Sequence, residues 1–325
     1  MTHTPSLDHP LNLRASVPLL LVLIALPWIA AALGESYYVG VATRILIFGL
    51  AATSLNLILG FGGMVSFGHA AFIGIGAYTV GMLMDAGLAS AWYAWPAAMA
   101  VSALFALVIG AISLRTRGVY FIMITLAFAQ MLYYLAVSLK AYGGEDGLSL
   151  ASRSTLGLGL DLGDDTSFYE AALLLLTLCV LLVQRLLGSR FGHALQAIRE
   201  NETRMSAIGF AVYRCKLIAF TISGALAGLA GALLANQSSF VSPALMQWSQ
   251  SGMLMIMVIL GGVGRLYGGL VGAVVFLLLE EILSAQTIHW QFGLGAALLA
   301  IVLFAPNGLM GLRRRKIAKE LQHDE

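Results

Sequence analysis

The chain has 325 residues, of which 59% are hydrophobic and only 10% are charged. A soluble domain carries roughly 25% charged residues, so this chain cannot cover a soluble surface and its outer surface must face lipid. The net charge of +2 is too small to indicate nucleic-acid binding. The sequence contains neither a phosphate-binding loop of the G-x-x-x-x-G-K-[ST] type nor a cluster of metal ligands. We therefore predict no catalytic residues, no cofactor and no metal site.

Ten apolar runs follow one another along the chain. Each is a candidate membrane-spanning helix, which needs about 20 mostly apolar residues. Together they predict an all-α, polytopic transmembrane helix bundle of about ten spans. In chain order the runs are Val17–Leu33, Val39–Leu59, Met64–Met84, Trp92–Leu114, Val119–Leu139, Phe168–Leu187, Leu217–Leu234, Ser251–Gly262, Gly268–Leu283 and Ile288–Phe304. The third run is rich in glycine and the eighth is short, so either could be a broken or re-entrant helix that is covered by protein.

The basic residues test this arrangement, because cytoplasmic loops carry an excess of Lys and Arg. With the N-terminus inside, all of the 18 basic residues except Arg44, Lys140 and Arg153 fall on the cytoplasmic side. The pattern predicts a cytoplasmic segment 1–16, a transmembrane domain 17–305 and a basic cytoplasmic tail 306–325. Eight spans stay possible, because miscounting one pair of short runs preserves the pattern. The first run could also be a cleaved signal peptide, although its long N-terminal region with one arginine favours an uncleaved helix.

The cytoplasmic loop 188–216 contains a segment of mixed charge. In the first part of Phe191–Gly209 the apolar residues recur at helical spacing, and Gly209 is a plausible helix stop. Arg199, Glu200 and Glu202 interrupt the apolar stripe. Such a helix could lie on the membrane surface, but surface helices favour Lys and Arg. The mixed charge therefore favours contact with a cytoplasmic partner.

This segment also resembles a known family. The sequence Ala197-Ile-Arg-Glu-Asn-Glu202, followed by Ala207-Ile-Gly209, resembles the coupling loop of ABC importer permeases. Further stretches narrow the resemblance to the LivM-type permeases of high-affinity branched-chain amino acid transporters. In chain order they are Leu55–Phe72, Arg117–Phe128, Gly143–Leu148, Ser223–Gly231, Val241–Pro243, Val258–Gly264 and Pro306–Leu309. Three positions depart from the family pattern, which often has Asp, Trp and Pro where this chain has Asn201, Tyr267 and Gly269.

The resemblance implies a division of labour among several proteins. The chain would be a permease subunit of the bacterial inner membrane, in contact with the lipid bilayer and without an ATPase site. Its partners would be a second, homologous permease of LivH type, two cytoplasmic ATPase subunits and a periplasmic substrate-binding protein. By the same resemblance, the residues that couple the permease to an ATPase are Ala197, Arg199, Glu200, Asn201, Glu202, Ala207 and Gly209.

The resemblance also bears on the external loop and the cargo. The loop 140–167 is acidic, and we expect Glu145 and Asp146 to help dock the binding protein through charge complementarity. The alternative is a merely solvated loop. Branched-chain amino acids are the family's typical cargo, and related systems are expected to carry urea, short amides or aromatic acids.

Two other function classes are alternatives to an ABC permease. An ion-coupled secondary transporter needs ionisable residues near the bilayer midplane. None of the candidate charges is central in the predicted spans; they are Glu35, Arg44, Asp85, Glu280 and Glu281. A membrane enzyme would need a cluster of acid–base or metal-binding groups, and the sequence shows none.

Polar side chains at membrane depth are costly, which makes them candidates for a transport pathway. The candidates are Asn56, Ser66, His69, Thr79 and Thr125. For the hydroxyl groups the alternative is a hydrogen bond to their own helix or to a neighbour. His69 lies near the cytoplasmic end of its predicted span, so we expect an interfacial role for it rather than proton transfer.

Three charges lie inside predicted spans near their external ends. Arg44 lies five residues inside the second span, roughly 7 to 8 Å deep at a rise of 1.5 Å per residue. Glu280 and Glu281 lie at a similar depth in the ninth span. Such charges are costly alone and tolerable as a pair. We therefore expect Arg44 to pair with Glu280 or Glu281 as an external gate that a zwitterionic substrate opens. Alternatively, all three side chains extend outward to the headgroups.

Overall fold

A computed structural model describes residues 23–25, 27, 36–157, 161–286, 288–304 and 308–311. Helices dominate, because a segment in lipid must satisfy its own backbone hydrogen bonds. In these residues the helices are α1 (Ser36–Asn56), α2 (His69–Asp85), α3 (Ala91–Ser113), α4 (Val119–Ser138), α5 (Asp165–Leu187), α6 (Arg190–Glu200), α7 (Glu202–Ala207), α8 (Val212–Ser238), α9 (Trp248–Gly261), α10 (Gly268–Gln286) and α11 (Trp290–Phe304). A π-helical turn, Leu57–Phe61, follows α1, and short 3₁₀ turns occupy Lys140–Tyr142 and Pro243–Met246. The sequence did not predict the two short strands, β1 (Leu148–Ser149) and β2 (Phe240–Val241).

Six of the described helices are long and apolar enough to cross a membrane, namely α1 with its π-helical turn, α3, α4, α5, α8 and α10. The shorter helices α2, α9 and α11 have 17, 14 and 15 residues. Each predicted span from the second to the tenth falls on one of these nine helices. The first, Val17–Leu33, lies outside the described residues except at 23–25 and 27, as do segment 1–16 and most of the tail 306–325. The polytopic helix bundle is confirmed, whereas the count of ten stays a prediction.

Different elements lie at the two ends of the bundle. Helices α6 and α7 lie at one end, together with the π-helical turn after α1 and the turn between α9 and α10. We call this the α6–α7 end. The opposite end carries the antiparallel pair β1–β2, in which Leu148 faces Val241, and we call it the sheet end. Helix α1 runs from the sheet end to the α6–α7 end.

Helix α1 is the central element of the described bundle. It packs against α5, α8, α9 and α10, and its side chains from Leu46 to Asn56 are almost all buried. An almost uniformly apolar helix of this kind has no polar face to expose. It begins at Ser36, three residues before the predicted start. Arg44 therefore lies roughly 12 Å along α1 from its sheet end at 1.5 Å per residue.

Glycines allow α2, α3 and α8 to pack closely. A Cβ atom added to Gly76 on α2 would lie 2.7 Å from the carbonyl carbon of Gly228 on α8. One added to Gly228 would lie 2.8 Å from the carbonyl oxygen of Ala98 on α3. Small residues let helix backbones approach in lipid, where packing rather than hydrophobicity drives association. The small-residue repeat that includes Gly224 and Gly228 is thus a packing surface.

The predicted external loop 140–167 is tied to the sheet end by specific contacts. Arg153 donates to Asp165 Oδ1 at 2.6 Å and to the carbonyl of Leu162 at 3.2 Å. The backbone N–H of Ser154 donates to Asn236 Oδ1 on α8 at 2.6 Å. These bonds fix the described part of the loop over the ends of α5 and α8.

Candidate functional site

The loop 188–216 contains two helices where the sequence predicted one. Ser189 Oγ accepts from the backbone N–H of Gly192 at 3.4 Å and caps α6. Asn201 interrupts the helical run with an extended backbone, φ −155° and ψ 97°. Its Oδ1 accepts from the N–H of Arg204 at 2.8 Å, the usual bond of an asparagine helix cap. The single helix predicted over Phe191–Gly209 is therefore wrong, because Asn201 ends α6 and caps α7.

The two helices each bury one face against the bundle. Leu195 and Ile198 of α6 and Met205 of α7 are buried. Beyond Met205 the segment is exposed, including the apolar side chains of Ile208 and Phe210. Exposed apolar surface next to charge is typical of a protein–protein contact. The segment therefore presents a mixed surface away from the bundle.

Glu202 anchors α7 to two other elements. Its Oε2 accepts from Lys216 Nζ on α8 at 2.7 Å, and its Oε1 lies 3.3 Å from Arg117 Nη2 just before α4. Of the two bases, Lys216 is largely buried and Arg117 is largely exposed. Exposed ion pairs contribute little, so the bond to Lys216 is the stronger anchor. Sequence analysis placed Glu202 in the coupling group but did not identify either base as its partner.

Arg199 bonds toward the bundle. Its Nη1 donates to the carbonyl oxygen of Gly60 in the π-helical turn after α1. The other predicted coupling residues fall into two groups. Ala197 is half-buried, whereas Glu200, Asn201, Ala207 and Gly209 are exposed. Gly209 has φ +87° and follows the end of α7, as expected of a helix stop.

The predicted pathway residue Asn56 joins α1 to the turn between α9 and α10. Its Nδ2 donates to the carbonyl of Arg265 at 2.7 Å, and its Oδ1 accepts from the N–H of Gly264 at 3.1 Å. Both polar ends of the amide therefore bond to the turn. The predicted pathway role of Asn56 stays a prediction, and its observed contacts are structural.

His69 belongs to a buried polar cluster. Ser54 Oγ donates to the carbonyl of Ala51 at 2.7 Å and also lies 2.8 Å from His69 Nε2. A hydroxyl has one proton, so in this arrangement the imidazole donates to the serine. Ser223 Oγ on α8 donates to the carbonyl of Ser54 at 2.5 Å. His69 is fully buried, and the interfacial role expected for it stays a prediction. Its Nδ1 has no hydrogen-bond partner in the part of the chain that the structure describes.

The remaining pathway candidates make local hydrogen bonds. Thr79 donates to the carbonyl of Ile75 at 2.7 Å, and Thr125 donates to that of Ile122 at 2.9 Å. Ser66 accepts from the backbone N–H of Gly68 at 3.3 Å. Bonds of this kind are common for hydroxyl groups in helices and turns, so they do not favour a pathway role.

At the sheet end, the predicted pair of Arg44 and Glu280 is present. Arg44 Nη2 lies 3.2 Å from Glu280 Oε1, and the Tyr37 hydroxyl donates to Glu281. Tyr37, Arg44 and Glu281 border an open cleft of about 390 Å³. Its lining residues are Tyr37, Gly40, Val41, Arg44, Asp165, Gln237 and Glu281. Among the described residues, the buried atoms Gln237 Oε1 and Glu280 Oε2 have no hydrogen-bond partner. A gating role for this pair stays a prediction.

Two further expectations concern chemistry and docking. No group of three His, Cys, Asp or Glu side chains within the described ranges could hold a metal ion. Glu145 and Asp146 are both exposed in the turn that precedes β1. They are accessible to a partner, and the docking of a binding protein at this turn stays a prediction.

Comparison with known proteins gives the family. The family model for the permease component of the branched-chain amino acid transport system matches residues 37–305. The chain is 30% identical over 302 residues to the high-affinity branched-chain amino acid transport system permease protein LivM of Salmonella typhimurium and to that of Escherichia coli, covering 86% of this chain and 71% of either relative. It is 23% identical over 282 residues to the permease protein LivH of Escherichia coli, covering 81% of this chain and 91% of the relative. No solved structure matches the chain. The chain therefore belongs to the family of permease components of branched-chain amino acid transport systems.

Proposed function

We propose that the chain is the LivM-type permease subunit of an ABC importer and forms part of the translocation pathway for branched-chain amino acids. It would assemble with a LivH-type permease, two ATPase subunits that supply the energy, and a periplasmic substrate-binding protein. The names of the relatives support the cargo, because both LivM and LivH proteins are described as branched-chain amino acid permeases. The similarity to both supports pairing of two homologous permeases.

We further propose ten spans in the bacterial inner membrane, with the α6–α7 end in the cytoplasm. Most basic residues of the described bundle lie at that end, in its loops, its short helices and the ends of its long helices, and the positive-inside rule places such residues in the cytoplasm. They include Arg115, Arg117, Arg185, Arg190, Arg199, Arg204, Arg214, Lys216 and Arg265. The short helix α2 fits this count because protein covers most of it, and a buried helix need not span the full hydrocarbon layer.

The observation that carries the coupling proposal is the two-sided form of α6 and α7. One face is buried in the bundle, and Arg199 and Glu202 attach the segment to α1, α4 and α8. The other face is exposed and carries Glu200, Arg204 and the apolar Ile208. A short helix that is firmly attached on one side and free on the other can transmit the motion of a cytoplasmic partner.

The substrate is tested by uptake into vesicles. The permease pair, both ATPase subunits and the binding protein are reconstituted with vesicles. The entry of labelled leucine is then measured with ATP enclosed inside the vesicles. We expect ATP-dependent uptake that unlabelled isoleucine and valine reduce. If urea, a short amide or an aromatic acid competes and the branched-chain amino acids do not, the proposed cargo is wrong.

The coupling assignment is tested by Glu200→Arg. Glu200 is exposed, so the substitution should leave insertion intact while it places the wrong charge against the ATPase. We expect uptake per ATP hydrolysed to fall about 2- to 30-fold, which corresponds to about 0.5–2 kcal/mol of coupling. Asp85→Arg, an equal charge change at an exposed position of the sheet end, is the control. Normal uptake by Glu200→Arg would remove Glu200 from the coupling surface.

A further inference from the structure

Three glycines form a narrow slot at the α6–α7 end, and the side chain of Arg199 occupies it. A Cβ atom added to Gly63 would lie 2.9 Å from Arg199 Cγ. One added to Gly264 would lie 2.9 Å from Arg199 Nη1 and 3.0 Å from the carbonyl oxygen of Gly60. Gly63 and Gly264 also have φ values of +67° and +74°, which glycine adopts without strain. The slot therefore depends on the absence of side chains at its walls.

The two walls of the slot are joined to each other. Gly60 belongs to the π-helical turn after α1, and Gly264 belongs to the turn between α9 and α10. Asn56 connects them through its bonds to the carbonyl of Arg265 and the N–H of Gly264. All five residues of the π-helical turn are buried, and such turns are rare and often occur at functional positions. The end of α1 and the α9–α10 turn therefore form one packed unit.

We infer that Arg199 is a positioning residue that ties α6 to this unit, so that a displacement of α6 and α7 moves the end of α1 and the α9–α10 turn together. The inference rests on the proposed function and adds a route by which ATPase motion enters the membrane domain. A guanidinium bonded to a carbonyl oxygen is a charge-assisted hydrogen bond, which is stronger than a neutral one. Arg199 and Glu200 are both exposed, but the guanidinium of Arg199 is bonded toward the bundle.

The route continues into the buried polar cluster. Ser54 lies two residues before Asn56 on α1 and contacts His69 of α2 and Ser223 of α8. A shift of the α1 end would act on both of these contacts. Glu202 supplies a separate attachment to α8 through Lys216, so the inference concerns only the part of the motion that passes through α1.

The functional test uses Arg199→Ala and Arg199→Lys in the complete reconstituted transporter. We expect Arg199→Ala to assemble and to hydrolyse ATP, while uptake per ATP falls about 2- to 30-fold, the usual range for residues that carry coupling between sites. Arg199→Lys keeps a positively charged donor group and should recover part of the loss. Arg185→Ala, which removes an exposed arginine from the last turn of α5 outside the coupling segment, is the matched control and should couple normally. Equal loss in Arg185→Ala and Arg199→Ala would contradict the inference.

A distance measurement separates positioning from a merely stabilising role. Spin labels are placed on Ser206→Cys and Val263→Cys, two exposed positions, in a background in which Cys179 and Cys215 are replaced by serine. In the complete transporter we expect one label-to-label distance that does not change between the ATP-bound and nucleotide-free states. In Arg199→Ala the distance should change with nucleotide. A wild-type distance that changes as much as that of the variant would overturn the inference.

The two proposals fail in different ways. If the wild-type complex takes up no amino acid, the proposed function fails. If the wild-type complex transports and Arg199→Ala transports with unchanged uptake per ATP, only the positioning role fails.

Discussion

Helix α1 makes polar contacts at both ends, and the contacts differ in kind. At the α6–α7 end, Asn56 and the carbonyl of Gly60 take part in hydrogen bonds that all have a backbone group as one partner. At the sheet end, Arg44 meets the side chain of Glu280 beside an open cleft. In each bond at the α6–α7 end, one partner is held by the backbone of a packed turn, whereas at the sheet end both partners are side chains that can rotate apart. The first end is suited to transmitting motion, and the second is suited to opening and closing.

The two ends of α1 also differ in how far their residues are exposed. The π-helical turn is buried throughout, whereas the side chain of Arg44 is 41% exposed and that of Glu280 is 18% exposed. Salt screens exposed charges much more than buried ones, and exposed ion pairs contribute only about 0.2–1 kcal/mol. A substitution inside the buried π-helical turn should therefore affect folding, whereas one in the Arg44–Glu280 pair should affect function with little cost to stability.

The largest expected effect comes from glycines of α1 and its π-helical turn. A Cβ atom at Gly60 would lie 2.5 Å from Gly264 N and closer still to Asn56 Oδ1, whereas one at Gly40 would meet nothing within 4 Å. Gly60→Ala should destabilise the protein by about 1–3 kcal/mol or more through overpacking. Gly40→Ala should stabilise it by up to about 1 kcal/mol, because alanine favours a helix interior. The midpoint of thermal unfolding in detergent measures both, and equal midpoints would show that the two ends are packed alike.

Much of this arrangement could be predicted from the sequence. The hydropathy of the sequence predicted apolar runs that fall on nine described helices. The loop between α5 and α8 also has an amphipathic pattern at helical spacing. The break at Asn201 also had a local signal, since asparagine is a favoured helix cap and its bond partner Arg204 is three residues away. That signal was outweighed by the periodicity of the neighbouring residues.

The junction at Gly60 could not be predicted, because its parts are distant in sequence. Arg199 and Gly60 are 139 positions apart, and no periodicity reports that a π-helical turn presents a carbonyl to an arginine. Ser54 was missed for a different reason. Thr53, next to it, bonds to a carbonyl of its own helix, which is the default for hydroxyl groups. Only the fold, which brings His69 beside Ser54, distinguishes the two.

The sheet end is tested by exchanging its charges. Arg44→Glu places a third carboxylate beside Glu280 and Glu281, so we expect reduced uptake in reconstituted vesicles. The double variant Arg44→Glu with Glu280→Arg restores an opposite-charge pair and should recover uptake. Tyr37→Phe removes the hydrogen bond to Glu281 without changing charge and is the control. Because the pair is partly exposed, the unfolding midpoint of Arg44→Glu should shift much less than that of Gly60→Ala.

Two results would contradict a gating role for this pair. If both proteins insert normally and the exchange does not recover uptake, Arg44 and Glu280 serve only to hold α1 against α10. If Tyr37→Phe loses as much uptake as Arg44→Glu, the cleft depends on its hydrogen bonds rather than on the charge pair.

The smallest expected effect lies on the outer surface of the sheet end, where the contrast with the α6–α7 end is sharpest. Glu145 and Asp146 are exposed and belong to a turn that Gly143 and Gly147 form with φ of +87° and +85°. Charge complementarity at an exposed rim changes association rates more than affinity. Replacing both acids by Gln and Asn should therefore slow binding of the substrate-binding protein by a few-fold at low salt, with little change in dissociation. Since the Debye length falls from about 30 Å at 0.01 M to about 8 Å at 0.15 M ionic strength, the difference should shrink as salt is added.

Stopped-flow binding to the reconstituted permease pair at several salt concentrations measures this difference in association rate, with Asp85→Asn as an exposed acid on the same end for comparison. If the double variant and wild type associate at equal rates at every salt concentration, the loop is merely solvated and the docking charges lie elsewhere.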